Sequence, residues 1–283
     1  SVNEVIAWVE LLGETLSGVD KPDGGLIWSD LEGWWGLPDS RGDGDLIPGG
    51  HGRFRRAEVL REARVITLKG HIYGADNREL VAVRDRLEAA LSAGAGPMRV
   101  ATSASGVWER WVEIDTLTIE PDHGRHETAF TVDMIAPDPR RYGPRLRVGP
   151  AGLPTSQGGV RFPQRAPFNF GSVASGGRLL IPNAGVIPVY PTIIVAGGFE
   201  SVTVSDITAG RRLRLDWPVP EGEAAVFDSR TRRVDLGKSE ITRWLTRREW
   251  FKIPAGRTHE FRFEVSGGSG DPQMWGEYRE GAW

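Results

Sequence analysis

In the stretch "RHETAFTVDMIA", Phe130, Val132 and Met134 fall on every second residue, the period of a strand with one face turned inward. Pro137 and Pro139 then remove two backbone donors in quick succession and end it. "REARVITLKGHIYG" alternates likewise, with Val65 and Thr67 on one face and Ile66, Leu68 and Ile72 on the other. Both faces are partly apolar, which predicts a strand inside a sheet. "VWERWVEIDTLTIE" is a further strand, joined to the first through the turn-rich "PDHG".

Between these strands the period changes to that of a helix, predicted over residues 77–93. Leu80, Val83, Leu87 and Leu91 make one apolar stripe, and Arg84, Asp85, Arg86 and Glu88 lie off it. Asp76 is placed to cap the first turn, Glu79 to reach back in a capping box, and Gly94 to terminate in a left-handed conformation. Strands and helix together describe an α+β unit that ends at Ala136.

Ahead of it, "PDSRGDGDLIPGGHGR" has five glycines, two prolines and no hydrophobic period. A long surface excursion of this kind usually serves a contact. Asp39, Arg41, Asp43, Asp45, Ile47, Pro48 and His51 are the residues expected to make it, toward another copy of the chain. The sheet itself is expected to have edges that need covering.

Beyond residue 143 the texture changes to a Gly/Pro-rich linker, "GPAGLPTSQGG", followed by short strands and turns with no capped helical period. An antiparallel β-sandwich is the natural closure for such a segment. The chain is therefore mainly β, with domains expected at 1–149 and 150–283.

The 283 residues suffice for two cores. A net charge of -3 gives no electrostatic ground for a nucleic-acid partner. The absence of cysteine removes disulfides, thiolate metal sites and thiol nucleophiles. "SVNEVIAWVELLGETL" lacks the basic flank of a leader and no stretch approaches a membrane span, so a soluble chain with no membrane insertion is expected. Lysine stands only at Lys21, Lys69, Lys238 and Lys252, a bias toward arginine that carries no functional weight at this level.

The ordered set "IPGGHG", "ARVITLKGHI", the helix and "APDPRRYG" resembles the distal tail proteins, or minor tail proteins, of long-tailed bacteriophages with non-contractile tails. In the second half, "IPNAGVIPVYPTIIVAGG", "AAVFDSRTRRV" and "EWFKIPAGRTHEFRFE" resemble the galectin-like or carbohydrate-module-like sandwich that many of them carry. The resemblance implies a first domain that forms a six-fold ring coaxial with the tail tube, and a peripheral sandwich. It implies the tail tube protein, the tail hub or tape-measure and other minor tail proteins as partners. The location it implies is the virion tail tip, assembled in the host cytoplasm. The alternative is a carbohydrate-binding module that adsorbs to host cell-wall glycan.

Chemistry adds little. His123 and His126 lack the helical pairing with glutamate and the third ligand of a zinc site. The acidic loop Asp39, Asp43, Gly44, Asp45 has Arg41 and Gly50 where a calcium loop needs oxygen ligands. The Arg41–Asp43 tripeptide "RGD" is read as chance, and no nucleophile elbow or phosphate loop is present. No enzyme, cofactor or metal is expected. Most of the 11 tryptophans are expected in cores and subunit interfaces, with Trp275 and Trp283 the least committed.

Overall fold

The computed structural model describes residues 5–18, 25–42, 47–51, 54, 59–121, 126–153, 177–267 and 271–283. It divides into two units, Ser1–Pro144 with Ala282–Trp283, and Arg145–Gly281.

The first unit contains β1 (Ile6–Leu11), β2 (Glu14–Ser17), β3 (Gly25–Glu32), β4 (Arg64–Tyr73), α1 (Asn77–Leu91), β5 (Ala95–Thr102), β6 (Gly106–Ile119), β7 (Glu127–Ala136) and the start of β8 (Arg141–Ala151). The strands pair in the order β6-β5-β1-β2-β3-β4-β7, and β7 pairs back onto β6. The sheet thus closes into a seven-stranded barrel. This corrects the expectation of an open sheet with edges to be covered: β7 carries β4 on one side and β6 on the other. Closure removes the unpaired N–H and C=O rows of an edge. The short ladder of β2 with β3 is parallel; the other barrel ladders are antiparallel.

The period of two sends alternate residues inward. Ile66, Leu68 and Ile72 of β4 meet Phe130, Val132 and Met134 of β7 inside, with Val9, Leu11, Met98, Val100 and Val112. Outside, β4 presents Thr67, Lys69, His71 and Tyr73. The predicted interior position of β4 holds, but Val65 on its other face is 65% exposed. Helix α1 adds Leu80, Val83, Leu87 and Leu91, all buried, to the same core. Each such leucine contributes about 1.5–3 kcal/mol by leaving water. The capping box forms with one change of detail. Asp76 accepts from the Glu79 N–H at 2.8 Å, while the Glu79 carboxylate reaches past the cap to the Ala75 N–H at 2.7 Å. The helix ends at Leu91 rather than residue 93, and Gly94 takes the left-handed conformation expected of it.

The linker expectation from Gly143 onward is corrected in part. Residues 141–151 are strand β8, not coil. Gly149 is there for close approach: a Cβ on it would lie 2.8 Å from the Met274 carbonyl oxygen, and its φ is +111°. The rest of the expected linker, from Pro154, lies outside the described residues.

The second unit contains β9 (Leu179–Asn183), β10 (Thr192–Ala196), β11 (Ser201–Asp206), β12 (Arg211–Leu215), β13 (Ala224–Asp228), β14 (Arg233–Leu236), β15 (Ser239–Glu240), β16 (Leu245–Arg248), β17 (Arg257–Ser266) and β18 (Met274–Ala282). One sheet runs β15-β14-β13-β10-β18 and on to the later part of β8; the other runs β16-β12-β11-β17-β9. Ile193, Val195, Phe227 and Met274 from one sheet and Val202, Val204, Leu213, Phe261 and Phe263 from the other share one core. Of the buried polar side chains there, Asp206, His259 and Asn183 are paired, whereas Ser229 Oγ meets no partner among the described residues. Asp206 meets His259 Nδ1 at 2.7 Å, and Asn183 Nδ2 donates to the carbonyls of Ile187 and Ile253.

Candidate functional site

The excursion between β3 and β4 is an arm pinned at its base. Ser40 bridges Arg61, the Arg41 N–H donates to the Leu60 carbonyl at 2.8 Å, and the Glu62 N–H donates to that of Asp39 at 3.0 Å. Arg61 Nη1 adds a bond to the Pro38 carbonyl. Of the residues expected to make a contact, Asp39, Arg41, Ile47, Pro48 and His51 are exposed. Asp43 and Asp45 lie outside the described residues. The arm also exposes Leu37, Phe54, Val59 and Leu60, apolar side chains that the sequence reading did not single out. The spacing of these four carries no period, so composition alone could have flagged them.

A second exposed apolar group lies on the barrel wall. Val65 stands directly opposite Ile135, which stands opposite Glu113, and Trp111 is two residues along the same strand. Directly opposed residues share a face. Val65, Ile135 and Trp111 therefore project outward together, Trp111 at 58% exposure.

At the root of the arm the chain turns through Gly33–Gly36 against the start of β4. Gly33 has φ +76°, and a Cβ on it would come within 2.2 Å of the Val65 carbonyl oxygen, so this turn requires glycine. Arg64, buried, fastens the turn by donating from Nη1 to the carbonyls of Gly33 and Trp35, from Nη2 to Gly36 and from Nε to Pro139. Burial, and then the neighbouring charge of Arg141, lower its pKa.

Arg110 on β6 lies under the same turn, 1% exposed. Its guanidinium sits over the Trp34 ring at 4.4 Å from the centroid, and Nη1 donates to the Trp34 carbonyl at 2.5 Å. Among the described residues, no acceptor meets its Nε or Nη2. Burial, followed by the charges of Arg64 and Arg141, lowers its pKa to about 9, against an opposing pull from Asp138. Asp138 is itself engaged: Oδ1 accepts from the Arg140 N–H and Nε, and Oδ2 from the Tyr142 hydroxyl. Burial pushes the Asp138 carboxyl up, but the bonds from Arg140 and Tyr142 outweigh it and hold the pKa below the usual range. Arg141 lies over the Trp108 ring at 5.3 Å. The "APDPRRYG" segment thus belongs to a knot of arginines.

The remaining candidates are dispersed. His126 Nδ1 is 2.8 Å from Asn77 Oδ1, and His123 lies outside the described residues. No three His, Asp or Glu among the described residues are placed to hold a metal ion. No helix among them is long and apolar enough to cross a membrane. Trp34 is in the first core, Trp28 and Trp108 pack against it, and Trp217 and Trp250 pack against the second. Trp217 and Trp244 stack with centroids 4.6 Å apart, and Trp244 remains 38% exposed.

No protein-family model matches the chain, and no curated protein matches it by sequence. Solved structures do match its fold. The Dit protein of phage SPP1, reported as a paradigm of the hub adsorption apparatus in phages that infect Gram-positive hosts, aligns with TM-score 0.66 and 12% identity over 99% of this chain and 100% of that one. A chain of the phage P2 baseplate in its activated conformation with Ca aligns with TM-score 0.52 and 8% identity over 98% of each chain. One from the same baseplate with Sr aligns with TM-score 0.50 and 10% identity, over 96% of this chain and 97% of the other. The chain has the fold of phage Dit and baseplate proteins.

Proposed function

We propose that this chain is a structural component of a phage tail tip, located in the virion and assembled in the host cytoplasm. In this reading the first unit forms a six-fold ring that joins the tail tube to the hub, the tape-measure and other minor tail proteins. The second unit is a peripheral galectin-like sandwich. The observation that carries the proposal is the end-to-end likeness to the SPP1 Dit protein, which spans both units rather than one common module. Because β6 and β7 pair and close the barrel among the described residues, the ring contacts come from side chains on its surface, namely the arm and the Val65, Ile135 and Trp111 group. Head-to-tail contacts of this kind close into a ring when their rotation divides the circle. Electron micrographs and native mass of the purified chain test the proposal. A closed multimer with a central channel is expected; a monomer at all concentrations overturns it.

The second reading is adsorption to a host cell-wall glycan, with no reacting group. The stacked and partly exposed Trp217–Trp244 pair favours it, because indole faces stack on sugars. Arg243 lies over Trp244 at 5.2 Å, so a sugar has to displace it. Pull-down of the wild type, but not of Trp244→Ala, with purified cell walls is the expected result in that case.

A further inference from the structure

Arg110 is a cation out of water, and three of its five N–H donors meet no acceptor among the described residues. Its guanidinium plane rests on Trp34, and Nη1 is taken by the Trp34 carbonyl. The two nitrogens without an acceptor among the described residues, Nε and Nη2, are those on one edge of the planar group. Their N–H bonds run parallel, at the separation of the two oxygens of a carboxylate. Arg64 presents no such edge, since carbonyls of Gly33, Trp35, Gly36 and Pro139 occupy its donors. Asp138, the carboxylate whose charge acts on Arg110, has both oxygens engaged by Arg140 and Tyr142. The charges of Arg64 and Arg141 both bear on Arg110, so the local potential is positive and one added negative charge offsets it.

We propose that the Nε–Nη2 edge of Arg110 is a receptor for one carboxylate group, bound through two parallel N–H···O bonds under the Trp34 turn. At 1% exposure the edge is shut off from solvent, so the group proposed to reach it is small, either a free carboxylate anion or the tip of an acidic side chain from a neighbouring protein subunit. A water molecule could accept one of the bonds but would leave the charge uncompensated. The inference concerns this edge alone and stands whether or not the chain forms a ring.

Thermal unfolding of the full chain at pH 7 in sodium formate, against sodium chloride at matched ionic strength, is the test. In the wild type the midpoint is expected to rise with formate and saturate, by about 5 °C or more beyond chloride. Arg110→Lys, which keeps the charge and loses the fork, and Arg110→Met are both expected to lose the increment. Should neither variant fold, saturable broadening of the ¹³C-formate resonance by the wild type decides the matter. Multimeric wild type, where it forms, separates the two sources. A formate response lost on assembly identifies a neighbour's carboxylate, and one retained identifies a free anion. Equal responses to formate and chloride, a response undiminished in both variants, or no saturable broadening would overturn the proposal and leave water as the partner of these donors.

Discussion

The ring of Phe130 occupies the space that a side chain on Gly70 would fill. The two residues are directly paired across β4 and β7, and a Cβ on Gly70 would lie 2.6 Å from Phe130 Cζ and 2.4 Å from the Ile27 carbonyl oxygen. Gly70→Ala is therefore expected to destabilise the barrel by about 2 kcal/mol or more, since one of the two obstructions is backbone. Chemical denaturation of wild type and variant measures the difference, and equal midpoints would show that the barrel relaxes freely at this position.

Leu87 is fully buried on the inner stripe of α1. An aspartate there places an unpaired carboxylate among apolar side chains, at about 3 kcal/mol or more. Asp76→Ala removes only the cap, at about 1 kcal/mol. Circular dichroism melts of the two variants should rank them in that order.

The depressed pKa of Asp138 ties stability to acid pH. The folded carboxyl ionises more readily than the unfolded one, so its contribution is present above the ordinary carboxylate range and is lost as pH falls through the folded value. Asp138→Asn removes the negative charge at every pH. The gap in melting temperature between wild type and Asp138→Asn is expected to narrow as pH is lowered from 7 toward 3.

Arg110 works in the opposite direction. Its pKa is lowered to about 9 in the fold from the ordinary arginine range, so between the two the unfolded chain holds a proton that the folded chain has released. More protons on the unfolded state mean that this group's contribution to stability rises with pH there. Urea unfolding at pH 8 and above pH 10 should show Arg110→Met losing more stability than the wild type over that interval.

Replacing Arg41–Leu60 by a short Gly-Ser turn keeps the Ser40–Arg61 bridge that closes the base of the arm. The barrel is expected to fold with an unchanged melting temperature, while a multimer formed by the wild type shifts toward monomer, because a small loss per contact recurs at every interface of a ring. Sedimentation velocity of both proteins checks this, and an unaltered multimer would move the contacts to the barrel wall around Trp111.

Features settled within a few residues of chain are legible in the sequence. The alternation in β4 and β7, the stripe and cap of α1, Gly94 as its terminator and the stop at Pro137 are local periods and local sterics, and they stand as read. The closure of the sheet by β6 and β7 is not legible there, since that pairing depends on the twist summed over seven strands and not on any one of them. It also turned Gly149 from an apparent linker residue into a point of close approach to Met274, because composition cannot distinguish a glycine that frees the chain from one that admits a neighbour. Arg64, Arg110 and Arg141 passed for an arginine-rich background in the sequence. They gather because the turn at Gly33, strand β6 and the chain after Pro139 meet in space, and it is burial at that meeting point that leaves two nitrogens of Arg110 without a partner among the described residues.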